Sequence, residues 1–547
     1  VSEAPKTSKT IRTVAHALSG RGAFALATLC ALLCWLAFVG SLKETGIWPL
    51  AFVCWVPFIV AIHGQTPKRA FWIGLYAGTL MIAGGFSWIV GMLRTFSGFP
   101  TALCILFASL LWIYQGGRAA FVAWLTARGT ARGWPRALVF GGAFVASELV
   151  YPLLFPYYFG VALHRVPVLL QVAELGGPVA VTVVVVATNL GLAELVFARL
   201  GAPADRRVVY GGAAVLGFAL LYGLVRIFMV DAQVARAEAV HVGLVQGNLG
   251  LMQKRTDPAD ALRRHKKLTQ ELKAKGAELV VWSESSVTFA VPEEMHKDFY
   301  KARVSRDLGV PTIFGAVVFR VDPDRERWYN TALASDTDGT IRGRYDKQFL
   351  LAFGEYLPFG EAFPKLYEWS PNSGRFSPGT RFDPVPIPTK TGDHKVAVLI
   401  CYEDIIPSFV NKLVAASDPE LLVNMTNDAW FGDTPEPWQH LALAQLRAVE
   451  HRRYLIRATN SGVSAIIDPL GRMVAHTDVK DVQKDSVDHA DALDAEVHWL
   501  RATTPYALWG DGPWWAVTAL TLVAAFRRRR PAGGGAISSD SKDLTKN

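Results

Sequence analysis

The feature that most constrains this chain is the spacing of its apolar runs. Stretches that approach the length needed to cross hydrocarbon fall at about 23–40, 47–62, 71–93, 101–125, 137–155, 177–198 and 208–230, and an eighth follows only at 513–526. Seven runs, a long gap and one more run cannot make a single soluble globule. Hydrophobic residues reach 51% and charged residues only 19% of 547, so disorder and a wholly soluble protein are both excluded.

The formal net charge of +9 raises the question of a nucleic-acid partner. The basic residues answer it by where they stand: Lys6, Lys9, Arg12 and Arg21; Lys68 and Arg69; Arg128, Arg132 and Arg136; Arg199, Arg206 and Arg207; then Arg527, Arg528, Arg529 and Arg530. These clusters fall on every second side of a membrane if the N-terminus is cytoplasmic, with only Lys43, Arg94 and Arg165 scattered opposite. The excess is therefore read as topology, with no nucleic acid involved. Residues 1–231 are expected to form a seven-span bundle, 232–505 an extracytoplasmic domain, 506–530 a closing transmembrane helix and 531–547 a disordered cytoplasmic tail. The first run lacks a small-residue cleavage site and is read as an anchor. Glu148 and Arg226, costly in lipid, are expected to snorkel to the outer interface. The aromatic, Pro-rich stretch 151–158 reads as an interfacial segment or as the lip of a lipid entry site.

Within the gap the pattern changes. Strand signals at 239–246, 279–282, 311–321, 329–335, 341–345, 396–400, 421–425 and 463–467 are interleaved with helix signals at 257–275, 293–308, 405–416 and 438–453, which is an α/β layered pattern. Three polar residues follow apolar strands directly: Glu284 after Leu-Val-Val-Trp-Ser, Lys347 after Arg-Tyr-Asp, and Cys401 after Val-Ala-Val-Leu-Ile. Cys401 is the one cysteine outside the apolar runs, so it has no disulfide partner in its domain. A strand-to-helix turn would favour its thiolate through exposed N–H groups, Glu284 could take its proton, and Lys347 could stabilise an oxyanion. Singly, such residues are mostly solvated or core positions; the ordered set Glu, Lys, Cys is far more specific.

The surrounding residues sharpen the pattern. Val-Val-Trp-Ser-Glu284, Tyr-Asp-Lys347 followed by Phe-Gly-Glu355, Leu-Ile-Cys401-Tyr-Glu-Asp and Asn427-Asp-Ala-Trp-Phe-Gly432 resemble the nitrilase superfamily, and within it the membrane-embedded apolipoprotein N-acyltransferases. The resemblance covers nearly the whole chain. It implies a membrane α-helical bundle of about eight transmembrane helices joined to an α/β nitrilase-like αββα sandwich. It also implies Glu284 as general base, Lys347 as oxyanion stabiliser, Cys401 as nucleophile and Glu355 as a second, orienting carboxylate. Tyr402 and Glu403 match positions important for activity, with the Tyr402 N–H as an oxyanion donor, while Asn330 and Trp430 would help shape the site. Ser283 stands where the family usually has Pro, and Leu351-Ala352 where it usually has Val-Pro. The expected reaction is ping-pong acyl transfer from a phospholipid donor to a diacylglyceryl-modified apolipoprotein acceptor. No cofactor or metal is needed, and the enzyme would act as a monomer in contact with membrane lipids. The expected location is the bacterial inner membrane, with the catalytic domain periplasmic and both termini cytoplasmic.

Aromatic residues crowd the segment after Lys347, at Phe349, Phe353, Tyr356, Phe359, Phe363, Tyr367 and Trp369, as suits arms that touch a bilayer. Three rivals stay in view: a tethered nitrilase-type amidase, a divergent paralogue with another acyl acceptor, and a transporter or receptor in which the three residues are incidental. Eight spans are a heavy tether, and sparse intramembrane charge argues against a solute path.

Overall fold

The computed structural model describes residues 20–250, 257–369, 373–479 and 490–529. Lys6, Lys9, Arg12, Arg530 and the expected tail lie outside them. Each of the eight apolar runs falls on helix: Arg21–Ala37, the two short turns Trp48–Phe52 and Val56–Ala61, Pro67–Gly85 bent into Ile89–Ser97, Thr101–Thr130, Arg136–Val150, Ala173–Arg199, Arg206–Val234 and Gly512–Phe526. Three described helices are long and apolar enough to cross a membrane, Thr101–Thr130, Ala173–Arg199 and Arg206–Val234, and the bent pair would make a fourth. The remaining segments are shorter, so full crossing by all eight stays a proposal.

Small residues let these helices approach. A Cβ on Gly78 would stand 2.1 Å from the Gly116 carbonyl, so Pro67–Gly85 and Thr101–Thr130 touch backbone to backbone. Ala173–Arg199 is kinked at Gly176 and Gly177 ahead of Pro178; Gly177 holds φ +64°, and a Cβ there would strike the Tyr506 ring. Outward, Arg206–Val234 shows Phe228, Tyr210, Leu221 and Leu224 exposed, an apolar face suited to lipid.

The expectation that Glu148 and Arg226 snorkel is corrected. Glu148 is buried and paired with Arg118 at 2.8 Å, while accepting hydrogen bonds from Phe159 N and Thr182 Oγ1. Arg226 pairs with Glu174, which also accepts from Tyr222 and from Arg452 of the outer domain. Each partner lies far away in sequence, and an ion pair inside the protein takes the place of water for both charges.

The domain between the seventh and eighth apolar runs, called the outer domain for its expected side, is a two-sheet sandwich. Its strands are β1 (Ala239–Gln246), β2 (Leu279–Trp282), β3 (Ala290–Pro292), β4 (Thr312–Val321), β5 (Glu326–Ser335), β6 (Ile341–Asp346), β7 (Val385–Thr389), β8 (Gly392–Ile400), β9 (Leu421–Thr426), β10 (Leu455–Thr459), β11 (Ala465–Ile467), β12 (Met473–His476) and β13 (Asp491–His498). One sheet runs β13-β1-β2-β4-β5-β6, with β3 beside β4; the other runs β12-β11-β10-β9-β8-β7. β1 and β2 face β10 across the sandwich. The helix Pro258–Ala274, capped by the Asp257 side chain on Asp260 N, covers the first sheet, and Pro407–Ser417 and Glu436–His451 cover the second. The layers are therefore αββα. The inner strands β2, β8 and β9 carry continuous apolar runs because both faces are covered. One apolar cluster runs unbroken from the bundle into the second sheet, joining Trp55, Phe159, Leu399 and Leu446.

Strands β3, β7, β10, β12 and β13 were not singled out by pattern. β10 is short and follows a helix without an intervening loop of turn residues, so no breaker marks it. The helix signal at 293–308 resolves into His296–Tyr300 and a π turn at Lys301–Ser305.

Candidate active site

β8 ends at Ile400, and Cys401 follows with φ +53°, a left-handed backbone that side-chain-bearing residues rarely adopt. That twist starts the tight turn Cys401–Ile405. Beneath it Glu403 is fully buried and gathers four donors: Ile400 N at 2.7 Å, Gln348 N at 2.7 Å, Phe349 N at 3.0 Å and Tyr345 Oη at 2.9 Å. Glu403 thus clamps the segment after Lys347 to the turn that carries Cys401. Burial pushes its carboxyl up to about 7, against the pull of those N–H groups. It is a positioning residue, and Tyr402 beside it donates its hydroxyl to the Leu154 carbonyl of the bundle at 2.7 Å.

Lys347 is buried, and its Nζ lies 2.7 Å from Glu355 Oε2 and 3.8 Å from Glu284 Oε1. Asn330 Nδ2 donates to both carboxylates, at 2.7 Å to Glu284 and 3.1 Å to Glu355. Leu351 N closes the arrangement on Glu355 Oε2 at 2.9 Å. Burial alone would lower the Lys347 ammonium, but the carboxylates of Glu355 and Glu284 oppose it, and Lys347 is held above the usual lysine range. Lys347 is therefore a fixed cation. Cys401 goes the other way from the expectation for a strand-to-helix turn: burial first, then the Glu284 charge, raise its thiol despite Lys347 and the Thr426 hydroxyl. It rests as a thiol and needs a base at the moment of attack.

A narrow cleft, partly open to the outside, leads from the bundle to Cys401 between Trp88, Phe155, Leu351, Phe431 and Leu443. Its walls are almost wholly apolar. The stretch 151–158 supplies Phe155, Pro156 and Tyr157 to them, in keeping with a lip. Trp430 is half-buried on the neighbouring turn, and Phe431 rather than Trp430 faces the cleft. Phe353, Phe359 and Phe363 stand exposed on the loop after Lys347.

Residues 241–485 match the carbon-nitrogen hydrolase family, and residues 22–191 match the apolipoprotein N-acyltransferase N-terminal domain. An apolipoprotein N-acyltransferase of Geobacter metallireducens is 30% identical over 505 residues, covering 90% of this chain and 93% of that one. The chain belongs to the apolipoprotein N-acyltransferase family. A relative of the same name in Pseudomonas putida is 29% identical over 500 residues, covering 88% of this chain and 93% of its own. Among solved structures, a variant of a nitrilase-superfamily amidase from Nesterenkonia AN1 matches at 20% identity with a TM-score of 0.35, over 48% of this chain and 93% of that chain.

The two departures from the family pattern lie just ahead of Glu284 and Glu355 in the chain. Ser283 is fully buried with its hydroxyl unpartnered, and Ala352 pairs in a short bridge with Tyr356. Neither displaces Glu284 or Glu355.

Sequence reasoning missed a buried charged layer under the Cys401 turn. Arg457 of β10 donates to Asp404 at 2.6 Å, Asn424 at 2.8 Å and Asp428 at 3.1 Å, and Asn424 in turn donates to the Cys401 carbonyl at 3.1 Å. His440 reaches Asp404 at 3.0 Å and Asp428 at 3.3 Å. Asp428, Glu436 and His440 place ligand-type atoms within 4.8 Å of one another, though no metal-like spacing marks them in the sequence. A basic residue inside an apolar strand, as in Leu-Ile-Arg457-Ala-Thr, was the available signal.

Proposed function

We propose that the protein transfers a fatty acyl chain from a phospholipid to the α-amino group of an S-diacylglyceryl cysteine at the N-terminus of an apolipoprotein, through a thioester on Cys401. The observation that carries this reading is the apolar cleft reaching from the bundle to the half-buried Cys401, in a chain of this family. An acyl chain fits such walls, whereas a small polar amide gains nothing from them.

In the first half-reaction Glu284 takes the Cys401 proton as Sγ attacks the ester carbonyl. The developing oxyanion is met by Lys347 Nζ and the Tyr402 N–H; the C–O bond then breaks and Glu284 returns the proton to the departing lysophospholipid oxygen. In the second, the amine attacks the thioester, Glu284 accepts its proton, the C–S bond breaks and Cys401 is reprotonated. Glu355 and Asn330 hold Lys347 and Glu284 in register. The apolar walls keep water from the thioester.

The domain limits follow the same reading: a bundle at 1–231, a catalytic domain at 232–505 and a closing helix at 506–530. The orientation is drawn from two ends of the bundle. At one end Arg529 N donates to Arg132 O, Trp134 Nε1 to Arg527 O, Arg69 to Gly20 O, and Arg136 pairs with Glu194. At the other, Leu154, Val39 and Gly85 carbonyls accept from Tyr402 and Gln439 of the outer domain. A basic end opposite the catalytic domain suits a cytoplasmic bundle end and a periplasmic site in a bacterial inner membrane.

The test is intact mass of the purified protein after incubation with phospholipid. An acyl adduct on Cys401, discharged by a diacylglyceryl peptide bearing a free α-amine, is expected. Release of ammonia from small amides with no adduct would favour the amidase reading instead.

A further inference from the structure

The cleft holds one polar feature that the mechanism above leaves unused. Glu436 opens the helix Glu436–His451 and lines the same cleft as Cys401. The residue is only 8% exposed, and its Oε2 has no hydrogen-bond partner among the described residues. The other polar side chains in those walls are occupied. Gln439 donates to the Val39 and Gly85 carbonyls and accepts from Trp88 Nε1; His440 is held between Asp404 and Asp428; Tyr402 Oη donates to Leu154 O.

A charge count defines what this oxygen lacks. Behind it lie three acids, Asp404, Asp428 and Glu436, and two cations, Arg457 and His440. Arg457 is shared by Asp404 and Asp428, and His440 stays protonated because the same two carboxylates outweigh its burial. Glu436 has only the edge of His440, 3.9 Å from its Oε1. Three negative and two positive charges leave one negative charge over, on Glu436, which lines the cleft. An empty site relieves that excess by protonation, and burial and Asp428 do push the Glu436 carboxyl upward. A single positive charge would balance it. A divalent metal would overshoot unless His440 gave up a proton that two carboxylates hold.

We propose that Glu436 is the binding site for a primary ammonium group brought into the cleft by a substrate, its carboxylate accepting hydrogen bonds from that group beside Cys401. This rests on the acyl-transfer reading above, where two substrates carry such a group: the acceptor, at its α-amine, and an ethanolamine phospholipid, at its headgroup. A charged hydrogen bond in an apolar cleft is a strong anchor; for the acceptor, the ammonium passes one proton to the Glu436 carboxylate, and the free amine beside the thioester then attacks while Glu284 takes its second proton.

The experiment uses the full-length protein in detergent micelles and reads the half-reactions separately by mass. Wild-type and Glu436→Gln proteins are acylated with phosphatidylethanolamine or phosphatidylglycerol, then the acyl-enzyme is mixed with a diacylglyceryl peptide carrying a free α-amine. Wild-type turnover in both steps tests the underlying reading by itself. The proposal expects Glu436→Gln to weaken one ammonium-bearing substrate selectively, with a rise of about 10-fold to 100-fold in its KM, the scale of a lost charged hydrogen bond. If the peptide step alone weakens, the site serves the acceptor; if acylation by phosphatidylethanolamine weakens against phosphatidylglycerol, it serves the donor headgroup. Glu436→Asp should recover part of the lost affinity. Equal loss with every substrate, or no loss with any, overturns the proposal.

Discussion

Lys347 Nζ stands 2.7 Å from Glu355 and 3.8 Å from Glu284, and this difference separates the two carboxylates. The nearer one pairs directly with the lysine; the farther one stands off it, as the proposed base would. Glu284→Gln keeps the Asn330 contact region and the shape of the site but cannot accept a proton, so single-turnover acylation of Cys401 should collapse. Lys347→Met leaves the base and removes the fixed cation, for which a loss of about 10² to 10³ in rate is the scale of one stabilising group. Glu355→Gln should cost less than Glu284→Gln, since Lys347 keeps Glu284 as a counter-charge. Acylation rates read by intact mass decide the order; near-wild-type acylation by Glu284→Gln with a dead Glu355→Gln would exchange the roles of base and orienter.

Between elements, the turn Cys401–Ile405, the strand β10 and the helix Glu436–His451 share the apolar core and also meet through buried charges. Of these His440 is the titratable one in reach of neutral pH. Burial and Arg457 push its imidazolium down, Asp404 and Asp428 push it up more, and the result is about 10 against an ordinary 6.5. A folded-state value above the unfolded one means that the folded protein binds the extra proton. The stability it contributes is complete below about pH 6.5 and is lost as pH rises towards 10. Replacing it by His440→Gln should therefore lower the thermal midpoint most near pH 6, with the gap to wild type narrowing steadily up to pH 10; a constant gap would mean that His440 is not charged in the fold. Of this layer only Arg457, a basic residue inside an apolar strand, leaves a mark in the sequence, whereas Glu284, Lys347 and Cys401 are all legible there. The three reacting residues each follow a recognisable strand, so topology alone gathers them. Asp404 and Asp428 sit inside motifs that drew attention for their neighbours, and Arg457 and His440 become meaningful only when β10 and the covering helix are laid against them. Glu148 and Arg226 failed for the same reason: a lone charge in an apolar run tells nothing of a partner far along the chain, and Arg118 and Glu174 turned out to be those partners.

At the scale of the molecule, bundle and sandwich are one packed body. The buried pair Arg452–Glu174 joins them, Gln171 donates to Leu470 O at 2.9 Å, and the apolar cluster is continuous across the junction. The cleft forms at that junction, so the depth of Cys401 relative to the bilayer is set by how the bundle sits in it. The apolar runs and alternating basic clusters were readable in the sequence, and the junction was not, because it depends on single carbonyls such as Leu154 O, Val39 O and Gly85 O finding partners in another domain. If the basic end faces the cytoplasm, the side chain of Lys390, 92% exposed on the sandwich, lies in the periplasm, while Arg132 lies inside. In a background where the native cysteines do not react, Lys390→Cys should label with a membrane-impermeant maleimide in intact spheroplasts, and Arg132→Cys only after lysis. The reverse pattern would turn the molecule over and place Cys401 on the cytoplasmic leaflet. Labelling at both sites before lysis would mean that the membrane does not separate the two ends of the bundle, and the orientation drawn from its charges would fall.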